Sequence, residues 1–186
     1  MIYIKTVSNE DKHLIHRLVY SALDKLLYSA FGVENAGQII KKAEFGKPYI
    51  ENANFDFSVS HTDNAGVIAV CGQGTEIEGY ICIDKDVSKI GVDIECADRE
   101  ISNNSLNLIM NKYYTEQERE YVNCGTNDYK LRFLEVWTKK ESIVKATGEG
   151  VRAIGKTDVY GFDCAYLETR HKLIKDKTYI ISVVAI

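Results

Sequence analysis

The sequence predicts an α+β protein in which one helix precedes a group of strands and further helices precede a final group of strands. Three patterns support this prediction: helical spacing of apolar residues before Gly32, strand-type runs between Phe55 and Glu95, and helical spacing again between Asn104 and Ala146. Because helices and strands fall into separate groups and do not alternate, this order favours an α+β fold over a parallel α/β sheet.

The composition is that of an ordinary globular protein. The 186 residues are 45% hydrophobic, and 23 Lys+Arg against 27 Asp+Glu give a net charge of −4. Such a chain can build a core without disulfides or metals. The acidic balance does not suggest nucleic-acid binding, and no apolar run approaches the ~20 residues of a membrane span. The start of the chain has no signal-peptide pattern, and its five scattered cysteines lack a C-x-x-C pair, so we expect a cytoplasmic protein with reduced thiols.

The first part of the chain reads as one helix followed by strands. Ser8 to Asp11 has the S-x-x-D form of a capping box, and a helix of roughly five or six turns is predicted up to Gly32. Residues 39–50 are ambiguous and are interpreted as a strand interrupted at Gly46-Lys47-Pro48. Strand-type runs follow at 55–60, 66–71, 78–83 and 90–95, separated by Gly, Asn and Asp residues that suggest antiparallel hairpins.

The second part reads as helices followed by strands. Residues 104–113 form a short predicted helix, and Thr115 to Glu118 is a second capping box, opening a helix that should end near Gly125. The sequence from Val151 onward reads as strands and turns, and its apolar end at 179–186 reads as a buried strand.

The strongest helical pattern runs from about Asp128 to Ala146 and stops at Gly148. Glu141 and Lys145 stand four and eight residues after Trp137, so all three share one face of this helix. An acid and a base on the apolar side of a helix need polar partners, which a metal-bound phosphate would supply. The alternative is an ordinary Glu–Lys pair on a solvated helix face.

Two carboxylates also lie close together in the run Ile90-Gly91-Val92-Asp93-Ile94-Glu95. Residues two apart in a strand project to the same side, which places Asp93 beside Glu95 while Val92 and Ile94 face the core. Adjacent carboxylates repel unless a cation or proton lies between them, and oxygen ligands suit Mg²⁺. A polar face at the end of a strand is the simpler alternative.

Two further segments could bind a ligand. Phe57-Ser58-Val59-Ser60-His61 is a strand that ends in a hydroxyl and an imidazole, and Phe45-Gly46-Lys47-Pro48 places a lysine in a rigid turn. Each could equally be a turn or a solvated surface residue. The sequence contains no P-loop, no G-x-G-x-x-G and no G-x-S-x-G motif.

In this order, the segments F-G-K-P, F-x-V-S-H, I-G-V-D-I-E and W-T-K-K-E-S-I-V-K resemble the motif set of the surfactin-synthetase-activating (Sfp-type) 4′-phosphopantetheinyl transferases. The last two resemble the superfamily's paired signatures, G-[IV]-D and [FW]-x-x-K-E-x-x-x-K. The matching region extends from Gly46 to Lys145, just over half of the chain.

The resemblance implies an enzyme that transfers the phosphopantetheine arm of coenzyme A to a serine of an apo carrier protein, releasing adenosine 3′,5′-bisphosphate. It also implies a pseudo-dimer of two similar α+β halves with the active site in the cleft between them. Residues 1–89 would form the nucleotide end of the coenzyme site, and residues 90–186 would carry the metal site and the phosphate-binding helix. With both halves in one chain, we expect a monomer.

The resemblance implies specific roles on the reactive side of the site. Asp93, Glu95 and Glu141 would hold Mg²⁺ against the pyrophosphate, and Lys145 and Lys140 would contact a phosphate. Glu141 or Glu118, directly or through a metal-bound water, would take the proton of the carrier serine. The implied catalytic residues are thus Glu141, Lys145 and Glu118.

On the coenzyme side, the resemblance implies that Ser60 and His61 bind the nucleotide, with the imidazole near the 3′-phosphate. The turn Gly46, Lys47 and Pro48 would line the adenine end. Lys112 and Lys139 are candidate contacts for the carrier protein.

The chain departs from the family pattern at three points. Ser58 stands where the family commonly has asparagine, and the segment between His61 and Asp93 is longer than usual, so residues 78–83 are predicted to add a strand to an extended hairpin. The N-terminal basic cluster that binds the 3′-phosphate in many members is not recognisable, and Arg17 and Lys25 are the candidates here.

Other functions also remain open from the sequence. A different carrier acceptor, a non-catalytic carrier- or nucleotide-binding module of the same fold, and a Mg²⁺-dependent phosphohydrolase are the alternatives.

Overall fold

The computed structural model describes residues 1–124 and 128–186, which fold into two antiparallel sheets with helices on their outer faces. The first part of the chain contains β1 Ile2–Ser8, α1 Ile15–Phe31, α2 Ala36–Ile39, β2 Lys41–Lys42, β3 Pro48–Tyr49, β4 Phe55–Thr62, β5 Ala65–Gly72 and β6 Ile81–Ile83. The second part contains β7 Ile90–Cys96, α3 Asn103–Tyr113, α4 Glu116–Asn123, α5 Tyr129–Thr147, β8 Tyr166–Ile174 and β9 Lys177–Ala185. Short 3₁₀ helices cover Lys12–Leu14 and Val151–Lys156.

The strands form two main sheets whose connections follow the same order. Sheet I has the strand order β4-β5-β1-β6, and sheet II has the order β7-β9-β8. In each sheet the first strand is followed by helix and then by a hairpin, and the second hairpin strand pairs antiparallel with that first strand, as β5 does with β1 and β9 with β7. The small hairpin β2-β3 stands apart from both sheets.

The side-chain alternation of the strands builds three apolar layers. One face of each sheet packs against the other, bringing Ile4 and Val67 together with Val92 and Val183. The opposite face of sheet I packs against α1, and the opposite face of sheet II packs against α3, α4 and α5. Because successive strand residues point to opposite faces, every strand of these sheets can serve two layers at once. The order from one side to the other is therefore helix, sheet, sheet, helix.

The start of α1 differs from the prediction. Ser8 is the last residue of β1 and pairs with Ala65, so the capping box predicted at Ser8 is wrong. The cap is instead Asp11, whose carboxylate accepts from the backbone N–H of His13 at 2.9 Å at the start of the 3₁₀ turn. The predicted end of the helix at Gly32 is confirmed.

Residues 78–83 contribute less strand than predicted. Only Ile81–Ile83 is extended, and this short strand pairs with Ile2–Ile4 of β1. The predicted extension of a hairpin is therefore wrong, since β6 instead covers the exposed edge of β1.

The helices between β7 and β8 agree with the sequence pattern. The Thr115–Glu118 capping box is confirmed, since both reciprocal hydrogen bonds are present. Helix α4 ends at Asn123, and the predicted stop at Gly125 lies outside the described residues. Helix α5 ends at Gly148, whose φ of 77° is readily adopted only by glycine. No helix in the described part of the chain is both long and apolar enough to cross a membrane.

Candidate functional site

Three elements meet around the carboxylate of Asp93. Its Oδ1 accepts hydrogen bonds from Ser60 Oγ at 2.8 Å and from Lys145 Nζ at 2.6 Å, and Lys145 Nζ also donates to Ser60 Oγ at 3.1 Å. Ser60 lies on β4, Asp93 on β7 and Lys145 on α5, so the cluster joins sheet I, sheet II and the long helix. The predicted association of the S-H, D-x-E and K-E-x-x-x-K segments is therefore present in the fold.

Gly91 explains how α5 comes this close to β7. A Cβ atom at this position would lie 1.9 Å from the backbone oxygen of Ser142 and 2.5 Å from the backbone nitrogen of Ala146. No side chain fits in that space, so the helix rests directly on the strand. Glu141 and Lys145, which flank Ser142 on the helix, are thereby brought beside Asp93, two residues further along β7.

The second oxygen of Asp93 has no partner. Asp93 is only 5% exposed, and its Oδ2 is buried without a hydrogen bond among the described residues. A buried carboxylate oxygen without a partner is unfavourable unless a ligand or cation satisfies it.

The carboxylates of Glu95 and Glu141 are electrostatically coupled to that of Asp93. Burial and, after it, the charge of Asp93 raise the pKa of Glu95 to about 7, against the opposing effects of Arg99 and Lys145. Burial and then Asp93 also raise the pKa of Glu141. These mutual effects indicate that the three acids share one low-dielectric region.

These acids suit a hard divalent cation, although they do not form a closed cage. In residues 1–124 and 128–186, no group of three or more His, Cys, Asp or Glu side chains is arranged closely enough to hold a metal ion. Magnesium, however, commonly binds through one or two carboxylates together with substrate phosphates and water. The unpartnered Oδ2 of Asp93 and the all-oxygen composition of the set fit that mode, with Asp93, Glu95 and Glu141 as the available ligands.

A cavity of about 290 Å³ opens beside this cluster. Its wall combines the β2-β3 turn, β4, α1 and α5, including the residues Tyr20, Gly46, Lys47, Pro48, Glu141 and Lys145. A larger cavity of about 560 Å³ lies near the N-terminus and the segment before β7, but it contains none of the predicted site residues. We therefore place the candidate site in the smaller cavity, where the titratable groups converge.

Lys47 is present at this cavity, but its ammonium group is engaged elsewhere. Its Nζ donates to Asp56 Oδ2 at 2.5 Å and to the backbone oxygens of Ile90 at 3.2 Å and Ala146 at 3.4 Å. The side chain of Lys47 is 14% exposed. Lys47 therefore contributes its backbone and aliphatic stem to the cavity, while its charge binds the two sheets together.

His61 lies at the outer side of the cluster, where a second histidine faces it. The ring of His16 on α1 is 5.5 Å from that of His61 and 4.8 Å from that of Tyr20, measured between centroids. The pKa of His61 is lowered by burial, then by His16 and Lys145. A bound anion would offset the electrostatic effects of His16 and Lys145 on this ring. His16 and Tyr20 were missed at the sequence level, although their spacing of four residues places them on one helix face.

Arg17 and Lys25, the candidates from the sequence, are not brought into this arrangement. Both are exposed on α1, and Lys25 lines a different surface cavity together with Tyr28 and Glu34.

Glu118 and Lys140 form a separate, fully buried ion pair. Lys140 Nζ lies 2.8 Å from Glu118 Oε2, and both side chains are 0% exposed. Glu118 also accepts from the backbone N–H groups of Thr115 at 2.8 Å and Val159 at 2.9 Å, while Lys140 donates to the backbone oxygen of Thr157.

This geometry does not fit the predicted roles of the pair. The assignment of Lys140 as a phosphate contact and of Glu118 as a base is corrected, because both groups are enclosed and saturated by protein partners. The helical period explains the difference, since Lys140 and Glu141 are neighbours in sequence and project about 100° apart.

Comparison with known proteins agrees with the motif pattern. Residues 89–179 match the family model of the 4′-phosphopantetheinyl transferase superfamily. Over 128 residues the chain is 27% identical to a protein of Aneurinibacillus migulanus described as 4′-phosphopantetheinyl transferase gsp. That match covers 68% of this chain and 45% of the length of the relative.

Proposed function

Because residues 89–179 match the family model of the 4′-phosphopantetheinyl transferase superfamily, we propose that the chain transfers the phosphopantetheine arm of coenzyme A to a serine of an apo carrier protein. The observation that carries the proposal is the Asp93 cluster, in which a buried carboxylate joins Ser60 and Lys145 beside two further acids. In the reaction, the serine oxygen forms a bond to the phosphorus of the arm, and the bond from that phosphorus to adenosine 3′,5′-bisphosphate breaks.

The proposed role of Glu141 is to accept the proton of the carrier serine. Its carboxylate lines the cavity, and its raised pKa makes it a better proton acceptor than an exposed glutamate. Glu118 was the alternative base, but its two oxygens already accept from Lys140 and two backbone N–H groups. Glu141 is therefore our choice between the two.

Lys145 is proposed to offset negative charge that develops in the transition state. Its ammonium group lies at the meeting point of Ser60 and Asp93 and is partly exposed to the cleft, with 29% of the side chain accessible. Transfer of a phosphoryl-type group depends mainly on positioning and charge neutralisation. Mg²⁺, held by Asp93 and by one of Glu95 and Glu141 together with phosphate oxygens and water, would supply the remaining charge neutralisation.

The coenzyme is proposed to occupy the 290 Å³ cavity, with its adenine end against Gly46, Lys47 and Pro48 and its nucleotide phosphate near Ser60 and His61. Burial, followed by the electrostatic effects of His16 and Lys145, lowers the pKa of His61, and a bound anion would offset all three effects. We add His16 to the residues proposed for this end, because its ring faces His61.

We also propose that the chain is a pseudo-dimer whose halves are residues 1–89 and 90–186. The repeated connection of strand, helix and hairpin in sheets I and II supports this division. In this arrangement the Asp93 cluster lies where the two halves meet, since Ser60 belongs to the first half and Asp93 and Lys145 to the second.

The proposal is tested by incubating the protein with coenzyme A, Mg²⁺ and a panel of apo carriers, followed by mass spectrometry of the carrier. We expect one phosphopantetheine to be added to at least one carrier, and no addition by Asp93→Ala or Glu141→Ala. Glu120→Ala, which removes an exposed acid, is the matched control and should retain activity.

Each alternative gives a different result in the same experiment. Coenzyme A binding without transfer to any carrier would favour a non-catalytic module, and phosphate release without an acceptor would favour a phosphohydrolase. Full activity of both Asp93→Ala and Glu141→Ala would exclude the assigned site. The panel also separates acceptor classes, because fatty-acid, polyketide and peptidyl carriers are assayed side by side.

A further inference from the structure

The edges of the two sheets face each other without sharing a backbone ladder. Strand β4 is at one edge of sheet I and pairs only with β5, while β7 is at one edge of sheet II and pairs only with β9, within the described residues. Edge strands carry N–H and C=O groups that their own sheet leaves without partners. Buried in the middle of the protein, such groups need other partners.

Three alternate side chains of β4 bridge this gap. Asp56 Oδ2 accepts from the backbone N–H of Ile90 at 2.8 Å, and Ser58 Oγ accepts from the backbone N–H of Val92 at 3.1 Å. Two residues further along, Ser60 Oγ donates to Asp93 Oδ1 at 2.8 Å. We call these three residues, Asp56, Ser58 and Ser60, the polar seam.

The spacing of these contacts shows why the seam defines a register. A step of two residues along β4, from Asp56 to Ser58, corresponds to a step of two residues along β7, from Ile90 to Val92. The two edges therefore run in the same direction, with the polar side chains of one capping the N–H groups of the other. A shift of one residue would turn the seam side chains away from β7.

Lys47 contacts both β4 and β7 at the Asp56 end of the polar seam. Its ammonium group joins Asp56 Oδ2 to the backbone oxygen of Ile90, so both backbone groups of Ile90 are satisfied by residues of the first half. The polar seam therefore begins at Asp56, which forms an ion pair with Lys47. It ends at Ser60, which donates a hydrogen bond to Asp93 in the candidate site.

We propose that Asp56 and Ser58 are positioning residues, which fix β7 against β4 and thereby set the position of Asp93 relative to Ser60 and Lys145. This proposal rests on the proposed function for its catalytic consequence, whereas its structural part is independent of it. Ser58 carries the central contact, is 3% exposed and lies at the wall of the 290 Å³ cavity, so loss of its hydroxyl leaves the N–H of Val92 without its protein acceptor.

The first experiment measures residue-resolved amide hydrogen exchange by NMR in wild type and Ser58→Ala. We expect exchange of the Val92 amide to accelerate by about tenfold or more in the variant, because that N–H loses its acceptor. Tyr3→Phe is the matched control, because it also removes one buried hydroxyl, which belongs to β1 of sheet I and donates to the backbone oxygen of Thr75. Tyr3→Phe should leave the exchange rate of the Val92 amide unchanged relative to the other amides of β7.

The second experiment measures the kinetics of carrier labelling. Ser58→Ala should lower kcat by about tenfold with a small change in the KM for coenzyme A, because misplacement of the reacting groups affects the chemical step more than coenzyme binding. Ser58→Thr keeps a hydroxyl at this position and should restore both kcat and slow exchange at Val92.

Unchanged Val92 exchange in Ser58→Ala would overturn the proposal, as would an equal loss of kcat in Tyr3→Phe. Absence of labelling by the wild-type protein would reject the proposed function alone, since the exchange experiment requires no activity.

Discussion

The two carboxylate oxygens of Asp93 differ in their hydrogen bonds, and this difference is the central feature of the candidate site. Oδ1 accepts from two side chains, whereas Oδ2 accepts from none among the described residues. Lys145 pairs with the carboxylate through Oδ1, while Oδ2 is buried. The same buried region raises the pKa values of Glu95 and Glu141. The protein thus keeps three acids together whose mutual repulsion favours protonation or a bound cation.

The burial of these acids, together with their repulsion, predicts a pH-dependent stability in the absence of metal. The pKa of Glu95 is raised from an ordinary value near 4.5 to about 7 in the folded protein. The folded state therefore binds this proton more tightly than the unfolded state. The stabilising contribution is fully present below the unfolded pKa and is lost as the pH rises through about 7.

The measurement is the free energy of unfolding in urea with a chelator, for wild type and Glu95→Gln, from about pH 5 to about pH 8. Glutamine cannot ionise, so the variant should gain stability relative to wild type as the pH rises. Adding Mg²⁺ should reduce this difference, because the cation favours the ionised acid. Parallel stability curves for the two proteins would contradict the assigned environment of Glu95.

The residues that the sequence identified well are those whose position depends on local periodicity. Strand alternation correctly placed Val92 and Ile94 in the core, and the helical period correctly put Glu141 and Lys145 on one face. The partner of a polar side chain is a long-range property. The contacts of Lys47 with Ala146, 99 residues away, have no signature in the local pattern.

At the scale of elements, the decisive contact is between α5 and β7. Gly91 permits this contact, and Gly91→Ala would force a methyl group against the backbone of Ser142 and Ala146. Since neither backbone segment can move without displacing α5, we expect a loss of at least about 1–3 kcal/mol in unfolding free energy.

Thermal and urea unfolding of Gly91→Ala check this expectation, with Gly37→Ala as the control. A Cβ atom at Gly37 meets no atom within 4 Å, and its stability should stay within about 1 kcal/mol of wild type. Equal stability of Gly91→Ala and wild type would mean that α5 is not seated on the strand as described.

The buried pair of Glu118 and Lys140 connects α4 and α5, and its role is also testable at this scale. Lys140→Met should cost about 3–5 kcal/mol of stability, since it leaves the carboxylate of Glu118 buried without its cation. Combining it with Glu118→Gln should cost less than the sum of the two single variants.

Lys139→Met is the matched control for this cycle, because Lys139 is the preceding residue and is only partly buried. It should change stability little. The earlier interpretation of Lys140 as a phosphate contact makes the opposite prediction, in which Lys140→Met weakens coenzyme binding and leaves stability nearly unchanged. Urea unfolding and calorimetric titration with coenzyme A distinguish the two roles.

The whole molecule contains two sheets whose strands are connected in the same order, and the candidate site lies where the sheets meet. The separate grouping of helices and strands was predicted from the sequence, but the packing of the two sheets was not. That packing depends on long-range contacts in the apolar layer between the sheets, which contains Ile4 of β1 and Val92 of β7. The resemblance supplied the expectation of two halves, and the connections of the sheets support it. In the segment between His61 and Asp93, residues Ile81–Ile83 form a short strand that pairs with the edge of β1. Local strand propensity could not indicate that partner.

The junction also predicts the oligomeric state. Ser60, Asp93 and Lys145 come from one chain, and the cavity beside them is lined by residues of the same chain. The proposed site therefore requires no second copy, and the net charge of −4 opposes self-association at low salt. We expect light scattering to give the monomer mass of 21.0 kDa and carrier labelling per chain to stay constant on dilution. A dimer whose activity falls on dilution would show that a partner chain completes the site.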